Sequence, residues 1–108
     1  MMSDAKLESA RSLTGLIDYQ SEAVVSRSLL ARPTGTVTLF AFDEGQGLSE
    51  HTAPYDAIVL GLEGELEITV AGQGNRLASG DVLRMPADKP HALQASSRSK
   101  LLLIMIRG

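Results

Sequence analysis

From about residue 22 onward, every apolar stretch of this chain is short and ends on a turn residue. Val24-Val25-Ser26-Arg27-Ser28-Leu29-Leu30 reads as a strand stopped by Pro33, and Gly35 to Phe42 is rich in Val, Thr and Phe, which suit a pleated surface. Ala57 to Leu62 is almost wholly apolar, as expected of a strand covered on both faces. Glu65 to Val70 alternates strictly, as expected of a strand with one face in the core and one in water. Ala71-Gly72-Gln73-Gly74-Asn75 reads as a reversal. Further strands are expected near Val82–Met85, Ala92–Ala95 and Lys100–Ile106, with Ser96-Ser97-Arg98-Ser99 as the last turn. Evenly spaced strands with no helical pattern between them predict an all-β antiparallel sandwich or barrel.

The first twenty residues differ. Leu7, Ala10, Leu13 and Leu16 or Ile17 recur near helical spacing, with Gly15 interrupting, so residues 1–20 are expected to form an arm or short helix. Residues 21–108 are expected to form the folded domain. At 108 residues there is room for one core. A net charge of −3 without a basic stripe argues against nucleic-acid binding. No run approaches the roughly 20 apolar residues of a membrane span. The amino end, with Asp4 and Glu8 and no apolar run, is unlike a secretion signal. With zero cysteines there is no disulfide and no thiolate ligand. A cytoplasmic location is expected.

The chain has two histidines, each in a stretch punctuated by glycine or proline. The first stretch reads Gly45-x5-His51-x-Ala53-x3-Ala57-x6-Gly64, and the second Gly80-x5-Pro86-x-Asp88-x2-His91-x3-Ala95. Gly64 stands between two strands, where a tight reversal needs positive φ, and Gly80 starts a new strand after a turn. Pro86 and Pro90 lack amide donors, so the segment between them cannot run as a ladder. These two stretches resemble the paired motifs of the cupin superfamily, and the resemblance extends over roughly Thr36 to Ile106. It implies a double-stranded β-helix, or jelly roll, whose barrel binds ligands in its open mouth: a small, RmlC-like cupin. In that family the first motif offers two histidines and a glutamate to a metal, and the second offers one more histidine. Matched position by position, His51 and His91 stand at histidine positions, while Ala53 and Ala57 stand where the second histidine and the glutamate would be. Ala95 replaces the usual asparagine, and Asp88 the usual glycine.

Losing two of four ligands, including the only anionic one, should weaken metal binding greatly. The expectation is therefore no firmly held cofactor, with a divalent Zn, Fe, Ni or Cu ion bound weakly by His51 and His91 as the alternative. Strand alternation should aim Glu50 and Asp56 outward, away from rescue of the set, unless a bulge intervenes. Without metal, two imidazoles can orient a polar group or exchange protons near neutral pH. The expected pocket comprises His51, Ala53, Tyr55, Ala57, Val59, Met85, His91 and Leu93, although the apolar members serve a β core equally well. Three functions compete: a cupin binding a small organic molecule; an enzyme, either a metal-dependent dioxygenase or isomerase or a metal-free isomerase, epimerase or cyclase; and an interaction module. A homodimer is expected. Gly72-Gln73-Gly74 precedes no helix and is no phosphate loop, and Glu63, Glu65 and Glu67 read as the wet side of a hairpin.

Overall fold

A computed structural model describes residues 7–107. Among them run nine strands: β1 (Val24–Arg32), β2 (Gly35–Phe42), β3 (Gly47–His51), β4 (Asp56–Glu63), β5 (Glu65–Val70), β6 (Gln73–Ala78), β7 (Val82–Met85), β8 (His91–Ala95) and β9 (Ser99–Ile106). They form a five-stranded sheet, ordered β1-β2-β9-β4-β7, over a four-stranded sheet, ordered β3-β8-β5-β6. Every pairing is antiparallel, as expected of a jelly roll.

The core lies between the sheets. Phe42, Val59, Met85 and Leu101 of the first sheet meet Leu66, Ile68, Leu77 and Leu93 of the second. A separate apolar cluster lies on the outer face of the five-stranded sheet, where Ile17 packs on Leu29, Leu39 and Ala41. The arm supplies Leu13, Leu16 and Tyr19 to the same cluster. Its only helical structure among the described residues is a single 3-10 turn, Thr14–Leu16. The helical spacing read from residue 7 onward is therefore mostly not realised, and residues 1–6 of that reading lie outside the described chain.

The arm is held by polar contacts as well as apolar ones. Arg27 Nη1 donates to the Leu16 carbonyl (2.7 Å), and the buried Lys100 ammonium donates to that of Thr14 (2.7 Å). Tyr19 donates to Glu63 (2.5 Å), and its ring lies between the Arg98 and Lys100 cations, 5.2 and 4.9 Å from the ring centre. Burial, and then the Glu63 carboxylate, push the Tyr19 phenol above its ordinary pKa.

Two strands were not foreseen. The reversal expected over residues 71–75 is only two residues long. Ala71 (φ 50°) and Gly72 (φ 81°) make the turn, and Gln73, Gly74 and Asn75 are already paired in β6. Positive φ at both central residues gives the twist that a two-residue hairpin needs. The other missed strand, β3, carries one of the histidines.

Candidate functional site

β3 brings the two motifs together. It pairs with β8 so that His51 and His91 lie opposite one another, although 40 positions separate them in sequence. Leu48 lies opposite Leu93, and the register slips by one residue before His51. Without that slip, residues an odd number apart on β3 would face opposite sides. The bulge reverses the parity, so that Leu48 and His51 both line the inter-sheet cavity and Glu50 stays exposed.

The imidazoles meet edge to face. Their ring centres are 4.3 Å apart, the planes cross at 71°, and the two Nε2 atoms are 3.0 Å apart. Each Nδ1 sits on a backbone carbonyl oxygen, that of Ser49 at 2.8 Å for His51 and that of Lys89 at 3.3 Å for His91. His51 is exposed, whereas His91 is buried. Burial, and then charge on His51, hold the His91 imidazole below its ordinary pKa, while the Lys89 carbonyl opposes the shift.

The sign of the resulting pH dependence follows. The unfolded chain takes up this proton more readily than the folded one, so protonation favours unfolding. The stability tied to His91 is complete above an unfolded pKa of about 6.5 and is lost as pH falls from there toward the folded value. Urea unfolding midpoints should therefore fall between pH 7.5 and pH 5.5, and His91→Gln should flatten that slope.

The cavity beneath the histidines measures about 40 Å³. His51, Val59, Met85, His91 and Leu93, five of the eight residues named from the sequence, line it. Phe40, Phe42, Leu48, Leu101 and Leu103 complete the lining, and sequence reasoning had missed them. Phe40, Phe42, Leu101 and Leu103 lie on β2 and β9, outside either motif, and their only signal was inward parity on strands already recognised. Leu48 lies within the first motif but on β3, a strand the sequence did not show. Ala57 is buried in the core opposite Met85 and Met105, whereas Ala53 and Tyr55 lie on the connection to β4, with Arg107 stacked 5.6 Å over the Tyr55 ring. None of these three lines the cavity. A wider groove of about 390 Å³ on the solvent face of the four-stranded sheet includes Ser49, Glu67, Thr69 and Gln94 but neither histidine.

The rim is tied together through its backbone. Asp88, in the left-handed region at φ 65°, donates its amide to the Ala53 carbonyl (2.8 Å). Aspartate tolerates that region better than most residues, which accounts for a non-glycine there. The Ala87 amide donates to the Asp56 carboxylate (2.9 Å), and the Ala71 amide to the Pro90 carbonyl (2.8 Å).

The resemblance implied a metal, and the donor set can be tested against one. Nitrogens on a single tetrahedral zinc at about 2.05 Å lie about 3.3 Å apart, so the histidine spacing is close to a chelating one. The rest of the set is missing. Positions 53 and 57 carry methyl groups, Glu50 points to solvent, and Asp56 is engaged by Ala87. Among the described residues, no three His, Cys, Asp or Glu side chains come together in a metal-holding arrangement. The residues present do not complete the site.

Comparison with known proteins agrees with the fold. The cupin-domain family model matches residues 38–107. A comparison with curated protein sequences returned no match. Among solved structures, the chain is similar to a conserved protein of unknown function from Streptococcus pyogenes, with 32% identity, coverage of 99% of this chain and 94% of that one, and a TM-score of 0.92. It is similar also to a cupin superfamily protein from Desulfitobacterium hafniense, with 31% identity, coverage of 100% and 99%, and a TM-score of 0.91. A cupin 2 conserved barrel domain protein from Leptotrichia buccalis shares 35% identity over 87% of this chain and 46% of its own, with a TM-score of 0.84. Strand order, paired motifs and these likenesses all agree, and the chain belongs to the cupin family.

Proposed function

We infer that this cupin binds a small organic molecule at the mouth of its barrel, with His51 and His91 as the polar anchors and without a tightly held metal. The observation that carries this reading is the convergence of both histidines of the chain on one apolar cavity whose remaining metal positions are alanine. A mainly apolar concavity with a few converging polar groups is the usual form of a small-molecule site. A cytoplasmic location fits the absence of cysteine. Among the described residues no helix is long and apolar enough to cross a membrane.

The test pairs metal analysis with ligand screening. Protein purified without chelator, and a His51→Ala/His91→Ala double variant, are both expected to carry metal far below one equivalent. A metabolite panel should raise the melting temperature of the wild type and not of the double variant, because a ligand that binds only the folded state stabilises it. One equivalent of metal in the wild type, lost in the variant, would favour the metal-dependent enzyme instead.

The partner proposed is a second copy of the chain. Ile58, Val82 and Ile106 are exposed on the outer face of the five-stranded sheet, beside the part that the arm covers. Asp56 and Arg84 border that face through their cross-strand positions against Ile106 and Ile58, so opposite charges can meet across a two-fold axis. Sedimentation should give a dimer for the wild type and a monomer for Ile58→Glu.

A further inference from the structure

Given that the histidine-lined cavity holds a small molecule, the contacts of the two rings narrow its chemistry. A carbonyl oxygen only accepts, so hydrogen bonds to Ser49 and Lys89 require the ring hydrogen on Nδ1. A neutral imidazole has one such hydrogen, and a ring held this way presents a bare lone pair at Nε2. With both rings so held, two lone pairs would oppose each other across 3.0 Å. The shorter Ser49 contact (2.8 Å) keeps His51 in that form, and the longer Lys89 contact (3.3 Å) is the one that yields. The opposition is relieved when His91 carries its hydrogen on Nε2 and donates it to His51 Nε2. The pair thus offers one acceptor and one donor side by side, with no net charge.

We propose that this pair recognises a neutral hydroxyl group on an apolar frame, an alcohol or a phenol, in preference to a carboxylate or phosphate. A hydroxyl both gives and accepts a hydrogen bond, so it can replace the histidine–histidine bond without leaving either ring unpaired. His91 donates to the hydroxyl oxygen, and the hydroxyl donates to His51. A carboxylate or phosphate dianion offers acceptors only and would leave the His51 lone pair facing an anion. The rest of the lining supplies no compensating cation, being Phe, Leu, Val and Met throughout. Two hydrogen bonds of about 2.8 Å meeting at a tetrahedral oxygen separate the nitrogens by about 4.6 Å, so the exposed His51 ring swings outward on binding. The cavity of about 40 Å³ admits the hydroxyl and the first carbons attached to it. The remainder of the ligand lies in the open mouth.

Three ring compounds of matched size test this: phenol, anisole (which cannot donate) and benzoate. Each is titrated at pH 8 into the full chain labelled with ¹⁵N-histidine, and long-range ¹H–¹⁵N spectra report which ring nitrogen carries the hydrogen. The expected result is His51 protonated on Nδ1 and His91 on Nε2 in the free protein. Phenol should shift both Nε2 signals by several p.p.m. at saturation, with anisole and benzoate at least tenfold weaker. His51→Phe, which keeps a ring at the mouth but loses the acceptor, should remove the preference for phenol over anisole. Stronger binding of benzoate, equal binding of anisole, or the reverse pair of tautomers would overturn the hydroxyl assignment while leaving the small-molecule pocket standing. Silence from all three probes would overturn it too. The pocket reading itself fails only if the wider metabolite panel also gives no histidine-dependent stabilisation.

Discussion

Replacing Gly64 with alanine should cost the fold about 2–5 kcal/mol and lower the urea midpoint well below that of the wild type. Gly64 joins β4 to β5 at φ +70°, and a side chain in that left-handed conformation costs about 1–2 kcal/mol. The added carbon would also lie 2.0 Å from the Arg98 carbonyl oxygen and 2.9 Å from its carbon. These are backbone atoms, so relief requires moving one of two turns. The turns are joined by the Ser96 amide on the Glu65 carbonyl (3.1 Å), the Glu65 amide on the Ser97 hydroxyl (3.1 Å) and the Ser99 hydroxyl on the Glu65 carbonyl (2.8 Å). Overpacking adds about 1–3 kcal/mol, for a sum of about 2–5 kcal/mol, against the 5–15 kcal/mol that typical domains possess. Gly72→Ala is the control, because Gly72 shares the positive φ (81°) but has nothing within 4 Å of an added carbon. It should lose only the conformational part, so the difference between the two urea midpoints measures the clash. Equal losses in both variants would show that the Arg98 contact is relieved without cost.

Phe42→Ala should cost about 3–5 kcal/mol, the usual range for deleting a fully buried ring. Phe42 is 0% exposed, lies in the inter-sheet core and stacks on Phe40, with ring centres 6.0 Å apart. It also lines the cavity, so the deletion opens space directly beneath the histidines. Stability should fall in urea unfolding, and the enlarged cavity should bind bulkier apolar molecules than the wild type does. Phe42→Leu should recover more than half of the loss. A loss under 1 kcal/mol for the alanine variant would mean that the sheets close over the gap.

The sequence made much of this legible, for identifiable reasons. β2, β5 and β9 carry β-branched or alternating residues whose preference agrees with their place in the sheets. Gly64 was readable because a reversal at φ 70° admits few other residues. β3 and β6 were not readable. Gly-Leu-Ser-Glu-His and Gln-Gly-Asn-Arg-Leu-Ala have weak strand preference, and as sheet edges they are set by the neighbour they pair with. The histidine contact was out of reach for the same reason, since it depends on the β3–β8 register and on a bulge that no local residue preference signals. The alternation rule did foresee Glu50 facing solvent beside an inward His51, yet only the bulge explains why Leu48 shares the inward side with His51. Docking of Ile17 on Leu39 and Ala41 is a long-range contact, which helical spacing in the arm could not foretell.

The peptide links from Asp88 to Ala53 and from Ala71 to Pro90, with the Asp56 carboxylate on Ala87, have a consequence for how such a protein diversifies. They set the barrel mouth with main-chain groups and one carboxylate; Ala53, the one ligand position among them, takes part through its carbonyl, so no side chain at a ligand position is used. The frame therefore comes before its occupant: side chains at positions 51, 53, 57 and 91 can be exchanged while the scaffold beneath them keeps its shape.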